Sequence, residues 1–324
     1  MREILYRDAI CEAIDEEMER DSNVLLLGED VAFIGGNFKT SVGLYDKYGD
    51  LRVKDTPISE AGFVGMGTGM AITGLRPIVE LMFADFLLVA ADQIINNAAK
   101  IRYMSGGQVS VPMVIRTPIG AGRSSAAQHS QSMQAMVAQF PGMKIVVPSN
   151  AQEAKGLLKT AIRDNDPVIF FEHKMEYANK FMIDDVVEPI PFGKARIARE
   201  GTDITIVATS SQVMKSEKAA EELAKEGISV EVIDLRTIVP MDRETIIESV
   251  KKTGRLLVID EAYEKCGIGA EIGADLMDEI FYYLEAPIGR IGTPNVPIPF
   301  SPALEFPIIP SIEKTITKVK KMME

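Results

Sequence analysis

Glu60 and His129 stand in the two stretches whose residue types and spacing suit chemistry. Glu60 closes the run Asp55-Thr56-Pro57-Ile58-Ser59-Glu60 and leads into Phe63 to Ala71, which carries glycine at positions 65, 67 and 69. One reading is local: Ser59 caps a helix, and Glu60 sits in its first turn, where the helix dipole favours a carboxylate. The other starts from the glycines, each of which costs a helix interior about 1 kcal/mol relative to alanine. Such a helix is expected where another backbone approaches closely. Glu60 would then lie at a tightly packed seam, stripped of water and suited to exchange protons near neutrality.

The second stretch runs from Pro118 to Ser132 and ends Gln128-His129-Ser130-Gln131-Ser132; the chain's only other histidine is His173. A lone histidine is commonly a hydrogen-bonded structural residue. A polar loop of small residues on the carboxyl side of a strand also suits an acid/base, and both readings stay open. Leu81-Met82-Phe83-Ala84-Asp85-Phe86 reads by itself as core at a strand-to-helix junction. A P-loop lysine motif is absent, and so is Gly-x-Gly-x-x-Gly after a first strand. Gly267 and Gly269 come nearest, but Ile272 stands where the third glycine is required.

These residues need a scaffold, and the apolar spacing supplies one. It predicts helix over 6–18 and strand over 24–27, then strands over 76–83, 111–117, 143–148 and 168–172, with helices over 63–74, 85–103 and 151–163. From His173 to Glu200 the period fades around Pro189 and Pro191, which reads as a connector. Alternation resumes with strands at 204–208, 229–235, 255–260 and 288–291 and helices at 212–225, 243–253 and 268–284. The expected fold is α/β with two doubly wound domains, residues 1–190 and 191–324. The segment from Gly292 to Pro302 is too rich in proline for helix or interior strand and is expected to wrap over a neighbouring surface.

A net charge of −12 argues against nucleic acid or an anionic membrane as partner, so an anionic cofactor needs a local site. Cys11 and Cys266 are too few and too far apart for a disulfide framework or a zinc cluster. With no signal-like or membrane-spanning apolar run, the expectation is a cytoplasmic protein.

In order and context these stretches resemble the β subunits of the thiamine diphosphate-dependent 2-oxo acid dehydrogenase family, of pyruvate or acetoin dehydrogenase type and transketolase-like. The resemblance spans nearly the whole chain. It rests on Leu27-Gly28-Glu29-Asp30-Val31, the run from Thr56 to Glu60, Gly74-Leu75-Arg76-Pro77, Phe83-Ala84-Asp85-Phe86, Tyr103-Met104-Ser105-Gly106-Gly107, Gln128-His129-Ser130-Gln131-Ser132, Lys155-Gly156-Leu157-Leu158 and Asp234-Leu235-Arg236-Thr237. It implies a pyrimidine-binding domain followed by a transketolase C-terminal-type domain.

By this resemblance Glu60 hydrogen-bonds a nitrogen of the cofactor's aminopyrimidine and promotes the tautomer that deprotonates the thiazolium carbon. Ile58, Met82, Phe86 and Tyr103 are implied around that ring, and Glu29 at the subunit seam as a proton relay. His129 is implied in reductive acylation of a lipoyl group. A potassium ion is implied at Met113, Ala161, Ile162, Asp164 and Asp166, for which a simple turn at Asp164-Asn165-Asp166-Pro167 is the alternative. The diphosphate motif that opens Gly-Asp-Gly is missing, since Gly49-Asp50 is followed by Leu51. In the family an α subunit carries that motif with the magnesium, forming a heterotetramer that serves a lipoyl acyltransferase core.

Gly120-Ala121-Gly122 and Ala126-Ala127-Gln128-His129 look more like acetoin and pyruvate enzymes than branched-chain ones, whose histidine usually follows a tyrosine or a second histidine. The alternatives are a branched-chain β subunit or a non-catalytic binding subunit.

Overall fold

The computed structural model describes all 324 residues, gathered into two compact units. One comprises residues 1–119 and 137–192; the other comprises 120–136 and 193–324. The chain passes to the second unit for good between Phe192 and Gly193, and the loop from Gly120 to Met136 clusters with that unit as well.

In the first unit the strands are β1 (Arg2–Leu5), β2 (Val24–Gly28), β3 (Val53–Asp55), β4 (Arg76–Glu80), β5 (Val114–Ile119), β6 (Lys144–Val146), β7 (Val168–His173) and β8 (Lys180–Ile183). Strands β2 to β7 pair in parallel in the order β3-β2-β4-β5-β7-β6. Each residue of β2, β5 and β7 is buried, as expected when helices cover both faces of a parallel sheet; β2 is a continuous apolar run, while β5 and β7 also carry buried polar residues. Helices α1 (Tyr6–Arg20), α2 (Glu60–Ile72) and α3 (Ala151–Arg163) provide much of that cover. The Asn150 side chain caps α3 by accepting the Glu153 N–H at 3.0 Å. Buried Lys155 on α3 bridges Glu12 and Glu16 of α1, at 2.7 Å each.

Two details depart from the expected elements. The connector after His173 contains β8, which pairs antiparallel with β1, Arg2 opposite Ile183; both strands are four residues long, too short for a period to show. The helix expected over 85–103 is broken into a 3₁₀ turn (Ala84–Leu88), a π segment (Gln93–Ala98) and a short α-helix (Ala99–Met104). Within the π segment the Asn97 amide donates to the Asp92 carbonyl and to Gln93 Oε1, a side-chain competitor for the backbone ladder.

The second unit holds β9 (Arg196–Arg199), β10 (Ile204–Ala208), β11 (Val230–Asp234), β12 (Leu256–Tyr263) and β13 (Gly289–Thr293) in the order β13-β12-β10-β11-β9. All pairs are parallel except β9 with β11. Helices α4 (Gln212–Ala224), α5 (Arg243–Thr253) and α6 (Ile268–Asp275) follow β10, β11 and β12. The helix expected to continue to residue 284 ends at Asp275 and is succeeded by short turns. A terminal helix, α7 (Ile312–Met323), was absent from the expectation; it buries Thr315, Val319 and Met322 along one stripe, and Ser311 caps it. Both units are α/β with parallel-rich sheets, as the sequence implied.

Candidate functional site

The chain leaves β2 for β3 on one side, then returns to β4 on the other, which makes a topological switch at the carboxyl ends of β2 and β4. Glu29 emerges there directly after β2, beside the exits of β3 and β4. Two bonds tie the exits of β2 and β3 together: Thr56 N–H donates to the Gly28 carbonyl at 2.9 Å, and Ala32 N–H donates to the Asp55 carboxylate at 2.7 Å. Glu60 opens α2 five residues after β3 ends. Ser59 precedes it but makes no side-chain capping bond, so the local capping reading loses its hydrogen bond.

Glu29 and Glu60 are each only 7% exposed. Glu29 Oε1 is buried with no hydrogen-bond partner. Burial, then the negative charges of Glu60 and Asp30, raise the Glu29 carboxyl above its ordinary pKa. The two carboxyls therefore feel one another in a region with little water. Met82 and Phe86, half-buried, follow β4. The Phe86 ring stands edge-on to Phe83 with centroids 5.9 Å apart, and Phe83 stands edge-on to Phe38 at 5.7 Å.

The glycines of α2 divide by role. A Cβ on Gly67 would come 2.7 Å from the Val79 side chain on β4, and one on Gly65 would crowd the Gln93 amide at 3.0 Å. A Cβ on Gly69 would meet nothing. Gly62, Met66, Gly69 and Ile72 form an exposed strip of small and apolar residues along the helix. Ile58 and Tyr103 are also exposed, at 83% and 89%. These two positions lie open, in contrast to the buried carboxyls.

His129 belongs to the second unit, where it is half-buried. His173 ends β7, is buried, and accepts the Met175 N–H on Nδ1 at 3.3 Å, a structural use.

The positions considered for potassium lie around the turn after α3. The Met113 carbonyl accepts Val168 N–H, that of Ala161 accepts Asp164 N–H, and those of Ile162 and Asp164 accept Arg76. The Asp164 carboxylate holds Lys144 at 2.6 Å, and Asp166 pairs with both Lys144 and Arg102. Three basic side chains thus already face this oxygen set. Their charges oppose the entry of another cation, and the residues as arranged do not favour potassium.

A buried charge cluster went unread in the sequence. Arg116 on β5 is almost fully buried and donates to Glu80 on β4 at 2.8 Å and to Glu172 on β7 at 2.7 and 2.9 Å. Tyr177 and Thr40 complete it by donating to Glu172 at 2.7 Å and Glu80 at 3.1 Å. The facing carboxylates hold Arg116 protonated well above its ordinary range despite burial. The only sequence signal was the placing of opposite charges on apolar strands, whose register sequence alone does not supply.

Comparison with known proteins places the fold in a family. Residues 2–180 match the family model of the transketolase pyrimidine-binding domain, and residues 193–314 that of the transketolase C-terminal domain. The chain belongs to this thiamine-dependent, transketolase-like family. Full-length relatives narrow the likeness. The chain is 50% identical over 320 residues to the pyruvate dehydrogenase E1 component subunit beta of Rickettsia bellii (strain RML369-C), covering 99% of this chain and 98% of that one. It is 46% identical over 333 residues to the acetoin:2,6-dichlorophenolindophenol oxidoreductase subunit beta of Cupriavidus necator, covering 100% and 98%. A solved split-gene transketolase, described as an inactive beta4 tetramer, shares the fold with a TM-score of 0.82 at 24% identity, over 99% of this chain and 98% of that one. No helix is long and apolar enough to cross a membrane.

Proposed function

We propose that this chain is the β subunit of the thiamine diphosphate-dependent first component of a lipoyl-linked dehydrogenase complex. It would act in cleaving acetoin, or in decarboxylating pyruvate or a related 2-oxo acid, and in passing the acyl group to lipoyl. The single observation that carries this reading is the buried pair Glu29 and Glu60 at the switch point, one of whose oxygens has no partner. Such a buried pair suits a nitrogen-bearing ring edge at Glu60, with Glu29 beside it as a second proton-exchanging group. The names of the full-length relatives support the same reading.

When bound, thiamine diphosphate supplies the carbanion-stabilising chemistry that amino-acid side chains lack. Glu60, at the start of α2, would hold a proton at a ring nitrogen of the bound cofactor. Glu29 tunes that exchange by repulsion and relays protons. Met82 and Phe86 present an apolar wall that excludes water from the ring. Ile58 and Tyr103 complete the ring's surroundings, and their exposed side chains, with the strip on α2, become buried when an α subunit docks. That partner holds the diphosphate and its magnesium, and the active assembly is a heterotetramer working with a lipoyl acyltransferase core in the cytoplasm. His129 assists transfer to lipoyl. Residues 1–190 serve as the pyrimidine-binding domain and 191–324 as the C-terminal domain, the His129 loop apart. Potassium is given no part.

The test is Glu60→Gln in the assembled enzyme. A positioned acid/base contributes about 10²- to 10⁴-fold, so proton exchange at the thiazolium carbon should slow by about that factor while assembly is kept and the melting temperature does not fall. Exchange at the normal rate would remove Glu60 from the mechanism.

A further inference from the structure

In the second unit the chain leaves β10 for β11 on one side and returns to β12 on the other, so this sheet too has a switch point. Open α/β sheets bind ligands in the crevice at that place. Here the unit's own loop fills it. Asp260, on β12, accepts from the Gln134 amide at 2.8 Å and from the Thr209 hydroxyl at 2.7 Å. Glu261 accepts Ala121 N–H at 2.7 Å on one oxygen and the Gln212 amide at 2.9 Å on the other. About 10 Å³ of space remains between Ala121, Ser130, Glu261 and Tyr263, room for no more than a water-sized group.

The proline-rich segment closes the arrangement. Ile298 and Ile309 pack with Ala121 in a small apolar cluster. Between them, Pro302 starts a short helix that ends at Glu305, a fully buried residue. The Glu305 carboxylate accepts Gly122 N–H at 2.7 Å and Ser124 N–H at 2.9 Å, two charge-assisted bonds to loop backbone. That backbone is strained where it is gripped. Ser124 and Ala126 both hold positive φ, 55° and 60°, which residues with a Cβ adopt only when their surroundings impose it. His129 follows three residues later.

We propose that Glu305, helped by Glu261, is a positioning residue: it clamps the strained turn from Gly120 to Ala126 and so presents His129 for transfer to lipoyl. The proposal rests on the role given to His129 above.

The test compares Glu305→Ala, Glu305→Gln and His129→Ala in the assembled enzyme, with two readouts. Hydrogen exchange of residues 120–126 reports the clamp. Rates with a free lipoyl domain and with an artificial electron acceptor report the chemistry. Glu305→Ala should speed exchange in the turn by about tenfold or more. It should slow lipoyl-dependent turnover by about tenfold, while the artificial-acceptor rate stays within about twofold. Glu305→Gln keeps the shape and one acceptor oxygen, so it should fold even where alanine does not and show smaller changes of the same kind.

Unchanged exchange in both variants would overturn the clamp. Faster exchange with normal lipoyl transfer would overturn the positioning role. Normal lipoyl transfer in His129→Ala would overturn the reading of His129, an outcome told apart because exchange in the Glu305 variants is measured independently.

Discussion

Two groups of buried carboxyls in the first unit make a direct comparison. Glu80 and Glu172 share the guanidinium of Arg116, with Thr40 and Tyr177 donating to their oxygens. Glu29 and Glu60 lie at the end of the same sheet and are also buried, yet Glu29 Oε1 has no partner, and no cation offsets the repulsion Glu29 feels from Glu60. A paired buried charge holds strands together. An unpaired one costs stability and is kept where something outside the chain uses it. The first group belongs to the fold, and the second is the one the proposed function uses.

The largest effect comes from breaking the paired group. Arg116→Met leaves two carboxylates buried without a cation and should cost about 3–5 kcal/mol in urea unfolding of the full chain. A loss under about 1 kcal/mol would show that the cluster is not what joins these strands. Glu60→Gln in the unpaired group should give the opposite profile, with chemistry lost and stability kept.

The smallest effect sharpens the contrast through pH. The Glu29 carboxyl titrates higher in the folded chain than in the unfolded one, so its ionisation opposes folding. Below the unfolded value it is protonated in both states and contributes nothing. As pH rises through the ordinary carboxylate range toward the folded value, stability is lost. Glu29→Gln should therefore raise the melting temperature at neutral pH and leave it unchanged well below the carboxylate range. A gain at low pH or a loss at neutral pH would contradict the origin of the shift.

Much of this molecule was legible in the residues. Strand β10 and helices α3 and α5 fall where the apolar period put them, because each has an uninterrupted period and, for the helices, a side-chain cap at Asn150 or Asp242. Strands β1 and β8 were missed because four half-exposed residues carry no period. The Arg116 cluster depends on register between β4, β5 and β7, and the Glu305 clamp joins residues more than 180 positions apart. Neither leaves a local mark. At the candidate site, the glycine-rich helix after Glu60 was the local signal. The pairing with Glu29 became visible only once β2 and β3 lay side by side.

The central claim is that this chain supplies a carboxyl grip for one ring of the cofactor and leaves the diphosphate to a partner. Calorimetric titration of thiamine diphosphate with magnesium, into the purified chain alone and then into the chain with its α partner, tests it most directly. The account predicts no measurable heat of binding for the chain alone and tight, saturable binding for the pair. Tight binding and turnover by the chain unaided would contradict it.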